Sequence, residues 1–299
     1  MCAPTSRRAI PRSTRTASPS TTARAATRRP SRPTPRCRTS SSIPWRSPGR
    51  AQPSAAVRPR LRRIVSVRGD TPHGSKRLDR HDPAFLDRLR KTLYSAVLSD
   101  VLDELGYMHQ ALAPGIRPLD EGLVLAGYAR TGLFREVSAA VPGENPYELE
   151  IRVVDDLKPG EVMVFGCGGS RKIAPWGELL TTASRARGAV GAVTDGFVRD
   201  VRMIRELRFP VFHGGIAPLD SKGRGKVVAI DVPIDCGGVR VEPGDLVFGD
   251  VDGVVVVPRK VEDDVLARAF RKVEGENTTR EELANGAKLA DVFARHGIL

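Results

Sequence analysis

The sequence lacks the motifs of several large enzyme classes. Its 299 residues include four cysteines and five histidines, with no CxxC pair and no HExxH helix, so no zinc finger or zinc hydrolase is predicted. It has no GxGxxG or GxxxxGK[ST] segment for a nucleotide and no GxSxG nucleophile elbow. Apolar runs as long as about 18 residues are also missing, so neither a transmembrane helix nor a membrane partner is expected.

The scarcity of cysteine favours a reducing compartment. Cys167 and Cys236 lie far apart in the sequence, and we expect two separate, buried or half-buried thiols. The first residues contain no hydrophobic core of a secretory signal. The expected location is therefore the cytoplasm.

Acidic residues are almost absent from the first quarter of the chain. Residues 1–78 hold 19 lysines and arginines but a single acid, Asp70, for a charge of +18, whereas residues 79–299 carry −5. This segment is rich in Arg, Pro and Ser without apolar periodicity, and we expect a disordered tail. It could be a transit peptide, a polyanion-binding tail or, as we favour, upstream sequence included by an incorrect start. Nucleic acid binding is expected only through this tail.

From residue 79 onward the pattern predicts one α/β domain. Helices are expected near 84–94, 95–105, 145–154, 178–187 and 199–207, with C-terminal helices in 260–299, at 260–274 and 278–296, the second interrupted near Gly286. Strands are expected near 123–134, 157–165, 188–193, 210–213, 227–232, 238–241 and 246–258, the last as a hairpin turning at Asp252-Gly253. Such an order favours an antiparallel or mixed sheet over a doubly wound Rossmann fold.

Two short segments combine residues that suit a small anion and a cation. Gly177-Glu178 stands at the start of a predicted helix, where free N–H groups bind anions. Arg199-Asp200 follows a predicted strand, in a turn that also holds Asp195-Gly196. The Arg can hold an oxyanion and the Asp a divalent cation. The segments together predict a site for a small oxo-acid and a metal.

Each of these residues also has a simpler interpretation. Glu178 and Asp200 are acids in a first helical turn, which the helix dipole favours. Asp195 either supports the site or only forms the turn before Gly196.

Other residues are expected to be structural. They are His213 at a strand end, Trp176 in the core, and Asp250 and Asp252 around the hairpin. Gly168-Gly169 could either turn the chain or let a ligand approach the backbone.

Several segments in the same order resemble a known family. They are residues 98–106, Gly177-Glu178, 195–200, 210–212, 238–245 and 250–258. From about Ser95 to the C-terminus the sequence resembles the RraA-like family, which includes 4-hydroxy-4-methyl-2-oxoglutarate/4-carboxy-4-hydroxy-2-oxoadipate aldolases and RraA regulators of ribonuclease E. The resemblance implies a swivelling β/β/α sandwich domain, assembled as homotrimers or homohexamers with sites between subunits.

The resemblance also implies roles for particular residues. The backbone N–H groups of Glu178, Leu179 and Leu180 would bind the carboxylate of a 2-oxo acid. Arg199 would hydrogen-bond to the C2 oxygen, Asp200 would ligate Mg²⁺ or Mn²⁺, and Glu178 would orient water around the ion. A carboxylate from the C-terminal region of a neighbouring subunit would take the 4-hydroxyl proton, with Glu274 and Glu276 in about the right place.

The activity implied is cleavage of a 4-hydroxy-2-oxo acid to pyruvate, with oxaloacetate decarboxylation as a side reaction through the same enolate. A cation and a guanidinium aimed at the C2 oxygen stabilise the charge that develops there. The alternative is a non-catalytic regulator that binds an RNA-processing ribonuclease. The sequence leaves the particular oxo-acid open.

Overall fold

The computed structural model describes residues 80–298. The disorder expected for residues 1–78, and Cys2 and Cys37 within them, lie outside the described residues. Among the described residues, no helix combines the length and apolar character needed to cross a bilayer.

Two short helices open the described part of the chain, as expected. Helix α1 (Pro83–Thr92) begins with the Asp82 carboxylate accepting from the Ala84 N–H at 2.9 Å and with proline in its first turn. Helix α2 (Ser95–Glu104) is followed by Gly106, whose φ of +86° is the left-handed conformation that ends a helix.

The remaining elements follow in an alternating order. They are β1 (Arg117–Pro118), β2 (Leu125–Glu136), α3 (Glu148–Asp155), β3 (Glu161–Gly166), α4 (Glu178–Ala186), β4 (Gly191–Val198), α5 (Val201–Leu207), β5 (Val211–Ile216), β6 (Gly225–Ile230), β7 (Ile234–Cys236), β8 (Val239–Val241), β9 (Leu246–Asp250), β10 (Gly253–Val257), α6 (Glu262–Ala284) and α7 (Leu289–His296). A single 3₁₀ turn, Arg259–Val261, leads into α6.

The main sheet is mixed, as the strand pattern predicts. Its order is β1-β5-β4-β3-β2-β9-β10, with β6 paired to the far end of β2. Strands β2, β3, β4 and β5 are parallel, whereas β9 and β6 run antiparallel to β2. Because β2 has 12 residues, it can pair with three strands along its length. A separate antiparallel pair joins β7 and β8.

The sheet curls around one core and is covered on its outside by two more. Valines such as Val164, Val193 and Val247 fill its interior together with Phe212. Helices α1, α2 and α6 cover one part of the outside. Helices α3, α4 and α5 cover another, around Phe165 and Trp176. The candidate site lies on this last layer.

Two predicted boundaries are wrong. Asp195-Gly196 does not form a turn, because β4 continues to Val198. The pair lies where the register between β4 and β5 shifts, and a side chain at position 196 would come within 3.0 Å of the Cys167 sulfur. A glycine at an irregularity in a strand imitates the composition of a turn.

The second error concerns the C-terminal helices. Helix α6 runs unbroken through residues 275–277, so the gap predicted there is wrong. The helix ends at Ala284, so the interruption predicted near Gly286 is confirmed. A side chain at Gly275 would lie 2.5 Å from the Ile298 Cδ1 atom. Gly275 is therefore a packing position within the helix and does not end it.

Candidate functional site

The N-terminus of α4 is fixed beside the carboxyl end of β4. Trp176 forms a parallel bridge with Val198, and the Arg199 N–H donates to the Trp176 carbonyl at 3.0 Å. Trp176 itself is fully buried, with its indole N–H donating to the Thr181 hydroxyl at 2.9 Å, which confirms its structural role. The two predicted segments, 23 residues apart from Gly177 to Asp200, thereby meet.

Gly177 is the point of closest approach. A Cβ atom at this position would lie 2.6 Å from Asp200 Oδ2 and 3.2 Å from Arg199 Cγ. Real Cβ atoms do not approach a neighbour at 2.6 Å, so any larger residue would displace the Asp200 carboxylate. Glycine is required at position 177 because it has no side chain. Its backbone conformation does not require glycine, since φ is −150° and therefore extended.

Asp200 starts α5 in a left-handed conformation, with φ of 59° and ψ of 30°. Its backbone carbonyl accepts from the Met203 and Ile204 N–H groups, while its Oδ2 atom accepts from the Glu178 N–H at 3.2 Å. The left-handed backbone turns the carboxylate back towards α4, where the free N–H groups of the helix N-terminus favour negative charge. Non-glycine residues in this conformation are uncommon and often mark functional positions.

Arg199 extends over a group of acceptors. Its guanidinium lies 3.7 Å from Asp200 Oδ2 and 3.6 Å from Asp220 Oδ1, and donates to the Leu219 carbonyl at 3.4 Å. The side chain is 39% exposed, so these contacts orient it more than they stabilise the fold. A guanidinium carries five N–H donors, and this one is partly exposed, so it can also bind an incoming oxyanion.

The other predicted anion ligands are at the same place. Leu179 is 77% exposed at the helix start, and Leu180 packs partly against the core below. The Glu178 carboxylate accepts from the Thr182 hydroxyl at 2.6 Å, one helical turn further on. The structure therefore gathers Glu178, Leu179 and Leu180 beside Arg199 and Asp200, as the resemblance to the family implies.

Asp195 has a structural role in holding loops together. Its Oδ1 accepts from the Cys167 N–H at 2.6 Å, and its Oδ2 accepts from the N–H groups of Gly169 at 2.8 Å and Gly237 at 3.4 Å. Gly168 and Gly169 both have positive φ, so these glycines turn the chain around the carboxylate. Asp195 thus joins the segment after β3 to the hairpin between β7 and β8.

Three further residues beside Arg199 were missed by the sequence patterns. Tyr147 donates from its hydroxyl to Asp220 Oδ2 at 2.8 Å, and Glu150 lies buried on the next turn of the same chain segment. Asp220 comes from a loop 73 residues after Tyr147, so nothing local in the sequence connects them. In the sequence, Tyr147 and Glu150 look like part of an ordinary helix start with acidic residues in its first turn.

The residues present fit a magnesium or manganese ion only as a lightly held one. Among residues 80–298 no group of three or more His, Cys, Asp or Glu side chains is placed to hold a metal. Asp200 offers a half-exposed carboxylate, and Mg²⁺ is commonly bound through one or two carboxylates with waters and substrate oxygens completing its shell. Asp200 is therefore the residue that would hold the ion.

The other residues considered in the sequence take structural positions. His213 is buried in β5, where burial and then the nearby Arg205 lower its pKa, so a neutral ring is favoured. Asp250 accepts from both the N–H and the hydroxyl of Ser95 and thus caps α2, while the hairpin turns next to it as predicted.

The two cysteines of the domain are free and buried, as expected. Burial raises the pKa of both thiols, which keeps them protonated. Within one chain, Glu274 and Glu276 lie on α6, which packs on α2, and Tyr94 donates to Glu276. Neither belongs to the cluster around Arg199, so their role across a subunit boundary stays a prediction.

Comparison with known proteins agrees with this geometry. The family model RraA-like, described as Aldolase/RraA, matches residues 95–256, which include every residue named at the site. The chain belongs to the RraA-like family. The RraA-like match begins at α2 and ends within β10, so it spans the curled sheet and the helices that carry Gly177, Arg199 and Asp200.

Individual relatives of the RraA-like chain carry different descriptions. It is 36% identical over 191 residues to a protein of Halalkalibacterium halodurans named "Putative 4-hydroxy-4-methyl-2-oxoglutarate aldolase", with 64% of this chain and 84% of that protein covered. The structure of Streptomyces coelicolor RraAS2, described as an unusual member of the RNase ES inhibitor RraA protein family, is 32% identical with a TM-score of 0.59, covering 68% of this chain and 98% of that one.

A third comparison extends the structural agreement. An uncharacterized protein of Pseudomonas syringae pv. tomato is 29% identical with a TM-score of 0.61, covering 70% of this chain and 96% of that chain. The mixed sheet and its layers of helices are therefore those of RraA-like proteins, as the resemblance in the sequence implied.

Proposed function

We propose that this chain is a divalent-metal-dependent aldolase that cleaves 4-hydroxy-2-oxo acids, such as 4-hydroxy-4-methyl-2-oxoglutarate, to pyruvate. The observation that carries the proposal is the convergence of a helix N-terminus, a guanidinium and a carboxylate around Gly177, where no side chain separates them. The description of the Halalkalibacterium halodurans relative as an aldolase supports the same reaction class.

The reaction needs what these residues offer. Breaking the C3–C4 bond leaves the electron pair on the pyruvyl fragment, as an enolate whose charge lies largely on the C2 oxygen. Arg199 donates to that oxygen, and its stabilising effect grows as the charge develops. The N–H groups at the start of α4 hold the C1 carboxylate, which fixes the C2 oxygen against the guanidinium.

A divalent ion held by Asp200 would supply a second positive charge close to the same oxygen. The 4-hydroxyl proton must leave as the carbonyl of the second product forms, and we assign its acceptor to a carboxylate of a neighbouring subunit in a homotrimer or homohexamer. Since decarboxylation of oxaloacetate yields the same enolate, we propose it as a side activity.

Pyruvate release tests the proposal. Purified full-length protein would be assayed with 4-hydroxy-4-methyl-2-oxoglutarate, related 4-hydroxy-2-oxo acids and oxaloacetate, after chelation and after addition of Mg²⁺ or Mn²⁺. We expect activity that returns with the ion, and an Asp200→Ala variant that no longer responds to it. Asp103→Asn, which changes an exposed acid on α2, is the matched control and should behave like the wild type.

Two results would contradict the proposal. One is absence of pyruvate from every substrate with either ion; the other is an Asp200→Ala variant as active and as ion-dependent as the wild type. Stoichiometric binding of a ribonuclease by a protein without lyase activity would favour the regulator instead.

A further inference from the structure

Glu150 is an acid in an unusual environment beside the Arg199 cluster. It lies on α3 and is only 6% exposed. The Ser221 side chain faces its carboxyl group, and Oε2 has no hydrogen-bond partner among the described residues. Burying a charged carboxylate with an unpaired oxygen is costly, and even a neutral polar group without a partner destabilises the fold when it is buried. Such a residue calls for a reason beyond the stability of the fold.

The neighbours of Glu150 lead directly to Arg199. Ser221, whose side chain faces Glu150, directly follows Asp220, which lies 3.6 Å from the Arg199 guanidinium. Tyr147, one helical turn earlier, donates to Asp220 at 2.8 Å. Two side chains from the start of α3 therefore hold the two consecutive residues that determine where the guanidinium can lie.

The charges of this cluster are unequal. Burial, and then the charge of Asp220, raise the pKa of Glu150 to about 8, against smaller opposing effects of Arg199 and Ser221. Although burial works the other way, the hydrogen bond from Tyr147 and the other donors around Asp220 lower its pKa. The remaining titratable neighbours, Tyr147 and Cys167, both have raised pKa values. At neutral pH the cluster thus contains a neutral Glu150 and a charged Asp220.

We propose that Glu150 is a positioning residue for Arg199: in its neutral form it anchors Ser221 and Asp220, and on ionisation it draws the guanidinium away from the substrate. An ionised Glu150 would put a second carboxylate behind Asp220, in a place where water cannot screen it. The two carboxylates would repel one another and compete for Arg199, whose side chain is 39% exposed. This role deepens the proposed aldolase function and rests on it.

Kinetics against pH are the main test, with full-length wild type, Glu150→Gln, Glu150→Ala and the control Glu148→Gln. Glu148 is an exposed acid on the same helix. We expect kcat/KM for the wild type to fall above about pH 8, and the neutral Gln variant to lose this fall. Glu150→Ala, which removes the anchor, should lower kcat/KM by about tenfold or more at pH 7. Rescue by Gln separates positioning from mere filling of space.

Two measurements need no substrate, and so remain informative if the proposed reaction is not found. The first is thermal unfolding against pH. Because the raised pKa lets the folded protein keep a proton that the unfolded chain releases, wild-type stability should fall from about pH 4.5 to about pH 8. Glu150→Gln should lack this component, whereas Glu148→Gln should retain it.

The second is the rate at which phenylglyoxal modifies Arg199, followed by mass spectrometry. Taking the ratio of wild type to Glu150→Gln at each pH cancels the pH dependence of the reagent. We expect a ratio near one at pH 6.5 and a change of at least twofold at pH 9. Identical ratios at both values, or coincident unfolding profiles of wild type and Gln variant, would overturn the proposal. Loss of pyruvate formation alone would count only against the aldolase.

Discussion

Asp195 and Asp200 stand five residues apart at one end of β4, and the protein uses them in opposite ways. Asp195 points into loops that it joins, and three backbone N–H groups from two other segments donate to its carboxylate. Asp200 lies in a left-handed backbone position beside Arg199. The Glu178 N–H donates to its carboxylate, and about a third of its side chain is exposed.

The difference shows that the number of hydrogen bonds a carboxylate already accepts indicates whether its role is structural or ligand-binding. A carboxylate whose lone pairs are filled by backbone N–H groups has little left for a ligand. A carboxylate that is about a third exposed, accepts from one backbone N–H and lies 3.7 Å from a guanidinium keeps the capacity to bind a ligand. The motif Asp195–Asp200 contains one of each, although both acids look alike in the sequence.

The largest expected effect tests the part of the motif that contains Arg199 and the partly exposed Asp200. Arg199→Ala removes the donors that we propose bind the C2 oxygen, and it should lower kcat on the order of 10²–10³-fold, about 2.7–4 kcal/mol of transition-state stabilisation. Steady-state pyruvate formation and the urea midpoint of unfolding would be measured together, and the midpoint should hardly move. Arg202→Ala, an exposed arginine on α5, is the control. An equal fall in both variants would remove Arg199 from the site.

The next effect tests the part of the motif that contains Asp195. Asp195→Ala leaves the N–H groups of Cys167 and Gly169 without their acceptor and should cost about 2–3 kcal/mol of unfolding free energy. Chemical denaturation measures it, with Asp235→Ala, an exposed acid on β7, as the control. If Asp195→Ala were as stable as the wild type but inactive, the contrast between the two aspartates would be the reverse of the one described.

The smallest effect tests the contact that brings the two segments together. Gly177→Ala would place a methyl group 2.6 Å from Asp200 Oδ2, so the carboxylate and Arg199 must shift. We expect kcat/KM to fall about tenfold, because a displacement approaching an ångström disturbs a catalytic arrangement, with little change in stability. Gly115→Ala, where a Cβ meets nothing within 4 Å, should be silent. Unchanged activity of Gly177→Ala would show that this close approach is not required.

Much of the fold was predictable because its signals are local. Caps such as Asp82 and Gly106 are recognised within one helical turn, and short continuous runs of apolar residues identify buried strands such as β3 and β9. The errors came where a distant contact decides the local structure. Gly275 packs against Ile298, and Gly196 packs against Cys167. In both places glycine allows a close contact, whereas the sequence pattern predicted the end of a helix or strand.

The candidate site divides in the same way. Glu178, Arg199 and Asp200 were predicted because helix starts and strand ends place such residues where ligands bind, and the resemblance to RraA-like proteins gave them roles. Tyr147, Glu150 and Asp220 were missed because only the packing of α3 beside the loop after β5 brings them to Arg199. No spacing in the sequence records that contact.

The sequence by itself determined the alternating elements, the family and the candidate site residues Glu178, Arg199 and Asp200, since each was recognised from short segments of the chain. Only the tertiary structure decided that backbone N–H groups surround the Asp195 carboxylate whereas the Asp200 carboxylate stays partly exposed, and that Glu150 is buried. Hydrogen-bond donors and desolvation act through space, so the state of a carboxylate depends on which distant segments the fold places around it.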